Sequence, residues 1–151
     1  MGKHDEQIEI IVRGVCIMEG NLLVCHTKSA RNTYLPGGHV ECGESAKKSL
    51  RREIEEELGK NAIVGRFLGV IEHTYRRAGR RLCEVNVVFN VQIDGISPDV
   101  DPKSCEDYIE FWWVPLERIS TSKLEPSVLR NLLRSWLRRE GVEQWASTHK
   151  V

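Results

Sequence analysis

The stretch Gly38-His39-Val40-Glu41-Cys42-Gly43-Glu44-Ser45-Ala46-Lys47-Lys48-Ser49-Leu50-Arg51-Arg52-Glu53-Ile54-Glu55-Glu56-Glu57-Leu58-Gly59 decides how this chain is read. Residues 45–58 form a charged helix, and Gly59 supplies the stop. At about 100° per residue, Glu53, Glu56 and Glu57 fall within an arc of about 100°, whereas Glu55 points nearly the opposite way. Leu50, Ile54 and Leu58 make the neighbouring stripe. That pattern predicts a helix anchored on a sheet, with three carboxylates converging on one point beside the core.

Like charges at i,i+3 and i,i+4 each cost a few tenths of a kcal/mol in an isolated helix. A bound divalent cation is the simplest compensation for such a triad. Mg²⁺, and equally Mn²⁺, prefers hard oxygen ligands and usually keeps several waters, which leaves positions for phosphate oxygens. Glu53, Glu56 and Glu57, with Glu44 from the preceding loop, are the candidate ligands. Arg52 stands four residues before Glu56 and can brace that carboxylate. Gly37 and Gly38 permit close backbone approach, so the turn before the helix can fold back over a ligand. Three clustered glutamates alone usually mean a solvated face; the glycines, Glu44 and Arg52 in register argue for a site.

Working outward, residues 8–18 are β-branched and mostly apolar, and Glu19-Gly20-Asn21 supplies turn chemistry before a second apolar run at 22–25. This predicts a hairpin. Residues 29–33 read as a loop, and Leu35-Pro36-Gly37-Gly38 as punctuation. Segments 62–75 and 82–93 are rich in β-branched and aromatic residues, which predicts a long hairpin with Arg76, Arg77, Arg80 and Arg81 at its tip. Residues 94–107 carry two prolines and five acidic residues and read as a loop. Strand character returns over 108–114. The last expected element is a helix over 126–140, with Leu129, Leu132, Leu133, Trp136 and Leu137 on one face and Gly141 at its end. That face is expected on the sheet, with a homodimer contact as the alternative. The order β, helix, β, β, helix indicates a mixed sheet sandwiched by helices.

Gly38, Glu44 and Arg52-Glu53-Ile54-Glu55-Glu56-Glu57-Leu58-Gly59 resemble the Nudix box, Gly-x5-Glu-x7-Arg-Glu-U-x-Glu-Glu-x-Gly-U with U apolar. Every specified position matches except the last, where Lys60 stands in place of an apolar residue. The resemblance reaches more loosely to the hairpin before the box and to Glu110-Phe111-Trp112-Trp113-Val114-Pro115-Leu116 after it. It implies an α/β (α+β) fold, the Nudix-type α/β/α sandwich with a mixed central β-sheet. It also implies metal-dependent hydrolysis of a phosphoanhydride in a nucleoside diphosphate linked to another moiety, releasing a nucleoside monophosphate. A nucleoside triphosphate is the slight favourite as substrate. Under that resemblance the catalytic set is Glu53, Glu56, Arg52 and Glu44, the metal ligands are Glu53, Glu56 and Glu57, and Gly37 and Gly38 lie against substrate. Glu106 and Glu110 are candidates for an additional metal ligand or base. The cofactor it implies is Mg²⁺, with Mn²⁺ as the alternative.

The alternatives are a nucleotide-binding module that does not cleave, and a hydrolase of ADP-ribose or dinucleoside polyphosphates. Tyr75 lies near a position where some dinucleoside-polyphosphate hydrolases of the family carry a tyrosine. The proline found near there in many ADP-ribose hydrolases is absent between Lys60 and Ser97, which disfavours that substrate.

With 151 residues and 40% apolar composition, the chain (residues 1–151) is expected to close a single domain around one core. Twenty-two basic residues balance twenty-two acidic ones, so no global field favours nucleic acid or an anionic membrane. RNA processing would rest on the arginine tip alone. No apolar run approaches a bilayer span, the amino terminus lacks a signal-peptide core, and five scattered cysteines suit free thiols in a reducing cytosol. A cytoplasmic location is expected. His39 and His73 are read as structural or exposed, and Trp112, Trp113, Trp136 and Trp145 as core or interface.

Overall fold

The computed structural model describes residues 7–139 and 143–149. Two sheets divide the strands. The larger has five, in the order β4-β1-β6-β5-β8, and the smaller three, in the order β2-β3-β7. Strand β1 (Ile8–Val15) pairs parallel with β6 (Arg80–Ile93) and antiparallel with β4 (Gly37–His39). Strand β5 (Ala62–Arg77) pairs antiparallel with β6 and parallel with β8 (Trp145–Ser147), so the sheet is mixed. Strands β2 (Ile17–Met18), β3 (Asn21–Thr27) and β7 (Ile109–Pro115) make the antiparallel sheet.

The expected hairpin over 8–18 and 22–25 is therefore corrected: only β2 and β3 form it, and residues 8–15 belong to the other sheet. The run is broken at Cys16, which is buried at 2% exposure in a core that both sheets line and whose carbonyl accepts from Leu23 N. Gly37 and Gly38, expected as a turn, lie in β4. The arginine-tipped hairpin is present and longer than expected. Its turn is only Ala78-Gly79, with Arg76 opposite Arg81 and Arg77 opposite Arg80.

Helix α1 (Ala46–Leu58) begins at Ser45, whose side chain accepts from Lys48 N at 3.2 Å, and ends at Gly59 in the left-handed conformation, φ 63°. Leu50, Ile54 and Leu58 are buried among Val12, Leu23, Cys25, Phe89, Val91 and Phe111, so the seam beneath the acidic face packs against both sheets. Lys60 is exposed, and Leu58 and Ala62 seat the connection in its place. Helix α2 (Leu129–Arg138) covers a second core, burying Leu129, Leu133 and Trp136 with Leu22, Val24, Leu68 and Val88. Its apolar face is thus spent inside the chain. The expected end at Glu140 and Gly141 lies outside the described residues; within them Arg139 takes the left-handed cap. A 3-10 helix over Leu116–Thr121 and strand β8 were not expected from sequence. Among the described residues, no helix is long and apolar enough to cross a membrane, and all five cysteines are free thiols.

Candidate active site

Two backbone features aim the acidic helix. Strand β4 runs beside β1 with Gly38 opposite Val12 and Gly37 opposite Arg13. Gly37 has φ 146°, and a Cβ there would overlap the Val12 carbonyl oxygen; at Gly38 a Cβ would overlap the Glu53 carboxylate. Gly38 is required because the helix face is pressed onto the strand, and Gly37 because its backbone lies against that of β1. Gly38→Ala is expected to keep the fold, since the clash is with the end of a flexible side chain, and to lower turnover about a hundredfold by displacing that carboxylate. A melting curve beside a rate measurement checks it.

Arg52 is the hub of the acidic face. Its Nε donates to both Glu44 oxygens at 3.1 Å, Nη2 to Glu44 at 3.0 Å and to the His39 carbonyl at 3.2 Å. Nη1 donates to Glu53 at 3.0 Å and to Glu56 at 3.4 Å. Arg52 reaches Glu56, as its spacing allows, but its close, forked partner is Glu44, brought in by the fold-back of residues 39–44. Ser49 Oγ adds a bond to Glu44 at 2.9 Å. The Arg52 hydrogen bonds hold the Glu44 carboxyl below the usual carboxylate range, and those same bonds raise the guanidinium.

The three helix carboxylates differ in surroundings. Glu56 has 53% of its side chain exposed and Glu53 only 16%. Glu57 is 8% exposed, and its Oε2 has no hydrogen-bond partner among the described residues. Burial, then the nearby Glu53 charge, pushes Glu57 up to about 8, against the opposing pull of Arg13. Burial likewise raises Glu53, offset by its bond from Arg52. The helical spacing thus puts all three on one side of α1, as expected. From that shared side the three side chains take different directions. Among the described residues, no group of three His, Cys, Asp or Glu side chains is gathered closely enough to grip an ion. Arg52 draws Glu44, Glu53 and Glu56 to itself, while Glu57 is turned inward.

The loop 94–107 is stitched to the end of α1: Cys105 N donates to Glu57 O at 2.7 Å, and Ser104 Oγ to the same carbonyl at 3.3 Å. This brings Glu106 near enough that its charge is felt at Glu57. Glu110 on β7 is instead bonded to His26 Nε2 at 3.1 Å. His39 pairs with Glu9 at 3.1 Å, and His73 Nδ1 meets Thr148 Oγ1 at 3.0 Å, both in structural contacts. Trp136 is in the core and Trp112 and Trp113 pack against it, whereas Trp145 is 50% exposed on β8. Sequence reading passed over Arg13. The available signal was a charge in the middle of the apolar run Ile10-Ile11-Val12-Arg13-Gly14-Val15.

The profile of the NUDIX domain family matches residues 9–136. Nucleoside triphosphatase NudI of Escherichia coli O81 (strain ED1a) is 30% identical over 110 residues, spanning 66% of this chain and 76% of that protein. The crystal structure of a MutT protein from Methanosarcina mazei Go1 superposes with TM-score 0.67 at 25% identity, over 91% of this chain and 99% of that one. A UDP-X diphosphatase shares the fold, with TM-score 0.67 at 19% identity, over 93% of this chain and 67% of that one. With the box in register, its helix seated on the sheets and the match running through both cores, the chain belongs to the NUDIX family and is a Nudix hydrolase.

Proposed function

We propose that this protein hydrolyses a phosphoanhydride in a nucleoside diphosphate linked to another moiety, with a nucleoside triphosphate as the favoured substrate and a nucleoside monophosphate as product. The observation that carries the reading is Glu57: a carboxylate at 8% exposure with an unpartnered oxygen, beside Glu53 and Glu56 on a seam that fixes its height. A buried carboxylate left without a partner is costly, and a hard cation offsets that cost. The donor set is all oxygen, which suits Mg²⁺ or Mn²⁺. The relative NudI is named a nucleoside triphosphatase, which supports the substrate class.

In this reading Glu53 and Glu56 turn from Arg52 and close with Glu57 on the divalent ion, and Glu53 doubles as the candidate base for the attacking water. Arg52 positions Glu44 and Glu53. The Gly37-Gly38 edge lets the backbone approach the substrate, and Glu106 is the better placed of the two late candidates for a further ligand or base. When bound, the ion supplies charge neutralisation at the phosphate oxygens and a more acidic water. Positioning and charge neutralisation account for most of the rate in such transfers.

The test is a panel of nucleoside triphosphates, nucleotide sugars and dinucleoside polyphosphates incubated with Mg²⁺ or Mn²⁺, with products identified. Release of a nucleoside monophosphate, abolished by chelator, is the expected result. Binding of a panel member by calorimetry with no product after long incubation would replace the hydrolase reading with a binding module.

A further inference from the structure

Two arginines stand near the carboxylate array, and their hydrogen bonding differs. All five N–H donors of Arg52 are committed, to Glu44, Glu53, Glu56 and the His39 carbonyl. Arg13 makes one bond, Nη1 to the Leu35 carbonyl at 3.1 Å, and its guanidinium lies 4.9 Å from the centroid of the Tyr34 ring. Among the described residues no carboxylate closes an ion pair with it.

Its position in the fold is equally specific. Arg13 lies in the interior of β1, half-buried, with Gly37 opposite on β4 and Val88 opposite on β6. Its charge is felt at Glu57, Cys25 and Tyr34, so the guanidinium lies within electrostatic reach of the buried carboxylate of the array. A cation at an interior strand position, with no carboxylate in salt-bridge contact among the described residues, is costly. The Leu35 carbonyl and the Tyr34 ring orient the guanidinium but leave most of its fork unused. Forked N–H donors match the geometry of a phosphate.

We infer that Arg13 binds a phosphate oxygen of the substrate and so positions the polyphosphate against the helix carboxylates. This rests on the nucleotide-hydrolase reading for the identity of the anion, though its test does not need turnover. The rival role is purely structural: Arg13 pins the segment at Tyr34 and Leu35 and touches no ligand.

The experiment is calorimetric titration of inorganic pyrophosphate into the wild type, Arg13→Lys and Arg13→Gln, with and without Mg²⁺, beside melting curves of each. Loss of one charged hydrogen-bonding partner weakens binding roughly tenfold or more in Arg13→Gln. Arg13→Lys, which keeps the charge but not the fork, is expected between the two. Where a nucleotide is turned over, KM rises by a similar factor with a smaller change in kcat, a split that loss of a structural tether does not produce. A second measurement uses the wild type itself: the Arg13 Nε–Hε resonance, assigned by its absence from Arg13→Lys, shifts on adding pyrophosphate. Three outcomes overturn the inference: no pyrophosphate binding by the wild type, equal affinity in a folded Arg13→Gln, or an unmoved Nε–Hε resonance. Arg13-dependent pyrophosphate binding without cleavage of any nucleotide would instead remove the hydrolase reading and leave this one standing.

Discussion

Replacing Glu57 by Gln is expected to cut hydrolysis about a hundredfold or more while leaving the metal-free protein at least as stable as the wild type. Changes just outside a metal's ligand shell commonly cost 10- to about 100-fold, and a lost ligand stands at or beyond the upper end. The stability half of the expectation comes from burial. Glu57 is 8% exposed with Oε2 unpartnered, and its carboxyl is held near 8 by desolvation and by the Glu53 charge. A neutral amide of nearly the same shape removes that repulsion. Mg²⁺ should then raise the melting temperature of the wild type, because an ion that binds only the folded state stabilises it by mass action, and should leave Glu57→Gln unmoved. Equal activity in the two proteins, or an equal Mg²⁺ response, would refute the ligand assignment. Glu56→Gln is expected to lose activity too, with little change in stability, since that side chain is 53% exposed.

Ile54→Ala is expected to destabilise the fold by about 2–5 kcal/mol, the range for deleting a large apolar side chain from a packed core. Ile54 is 0% exposed and sits in the core cluster with Val12, Leu23 and Phe89. It also lies between Glu53 and Glu57 in the helix, so relaxation into the cavity tilts the acidic face. Urea unfolding measures the first effect, and turnover per folded molecule the second. A loss under about 1 kcal/mol would mean that the helix is not seated as described.

What was legible in the sequence divides along a physical line. Helix α1 was readable almost to the residue because its information is local: a serine cap, a four-residue apolar period and a glycine stop. The β5 and β6 hairpin was readable for the same reason. The break at Cys16 was not, because residues 14–18 carry no turn signal at that point and the division comes from pairing with β6 on one side and β3 on the other. Strand β8 is three residues added to a sheet edge, too short to carry a period. In the site, spacing alone put Glu53, Glu56 and Glu57 on one face of the helix. It could not show that Arg52 closes on Glu44, since that contact depends on how residues 39–44 fold back. Nor could it show the burial of Glu57, which depends on what the tertiary structure packs around the end of the helix.

The order β4-β1-β6 has a mechanical consequence. Among the described residues, the glycine edge that meets Glu53 has no anchor in the sheet except β1, and β1 is held in turn by a parallel seam to residues such as Val88, far along the chain. The setting of the acidic face is thus inherited across two strands from the distant hairpin. A substitution that loosens that seam acts on the acidic face as a lever acts on its far end, without touching a single carboxylate.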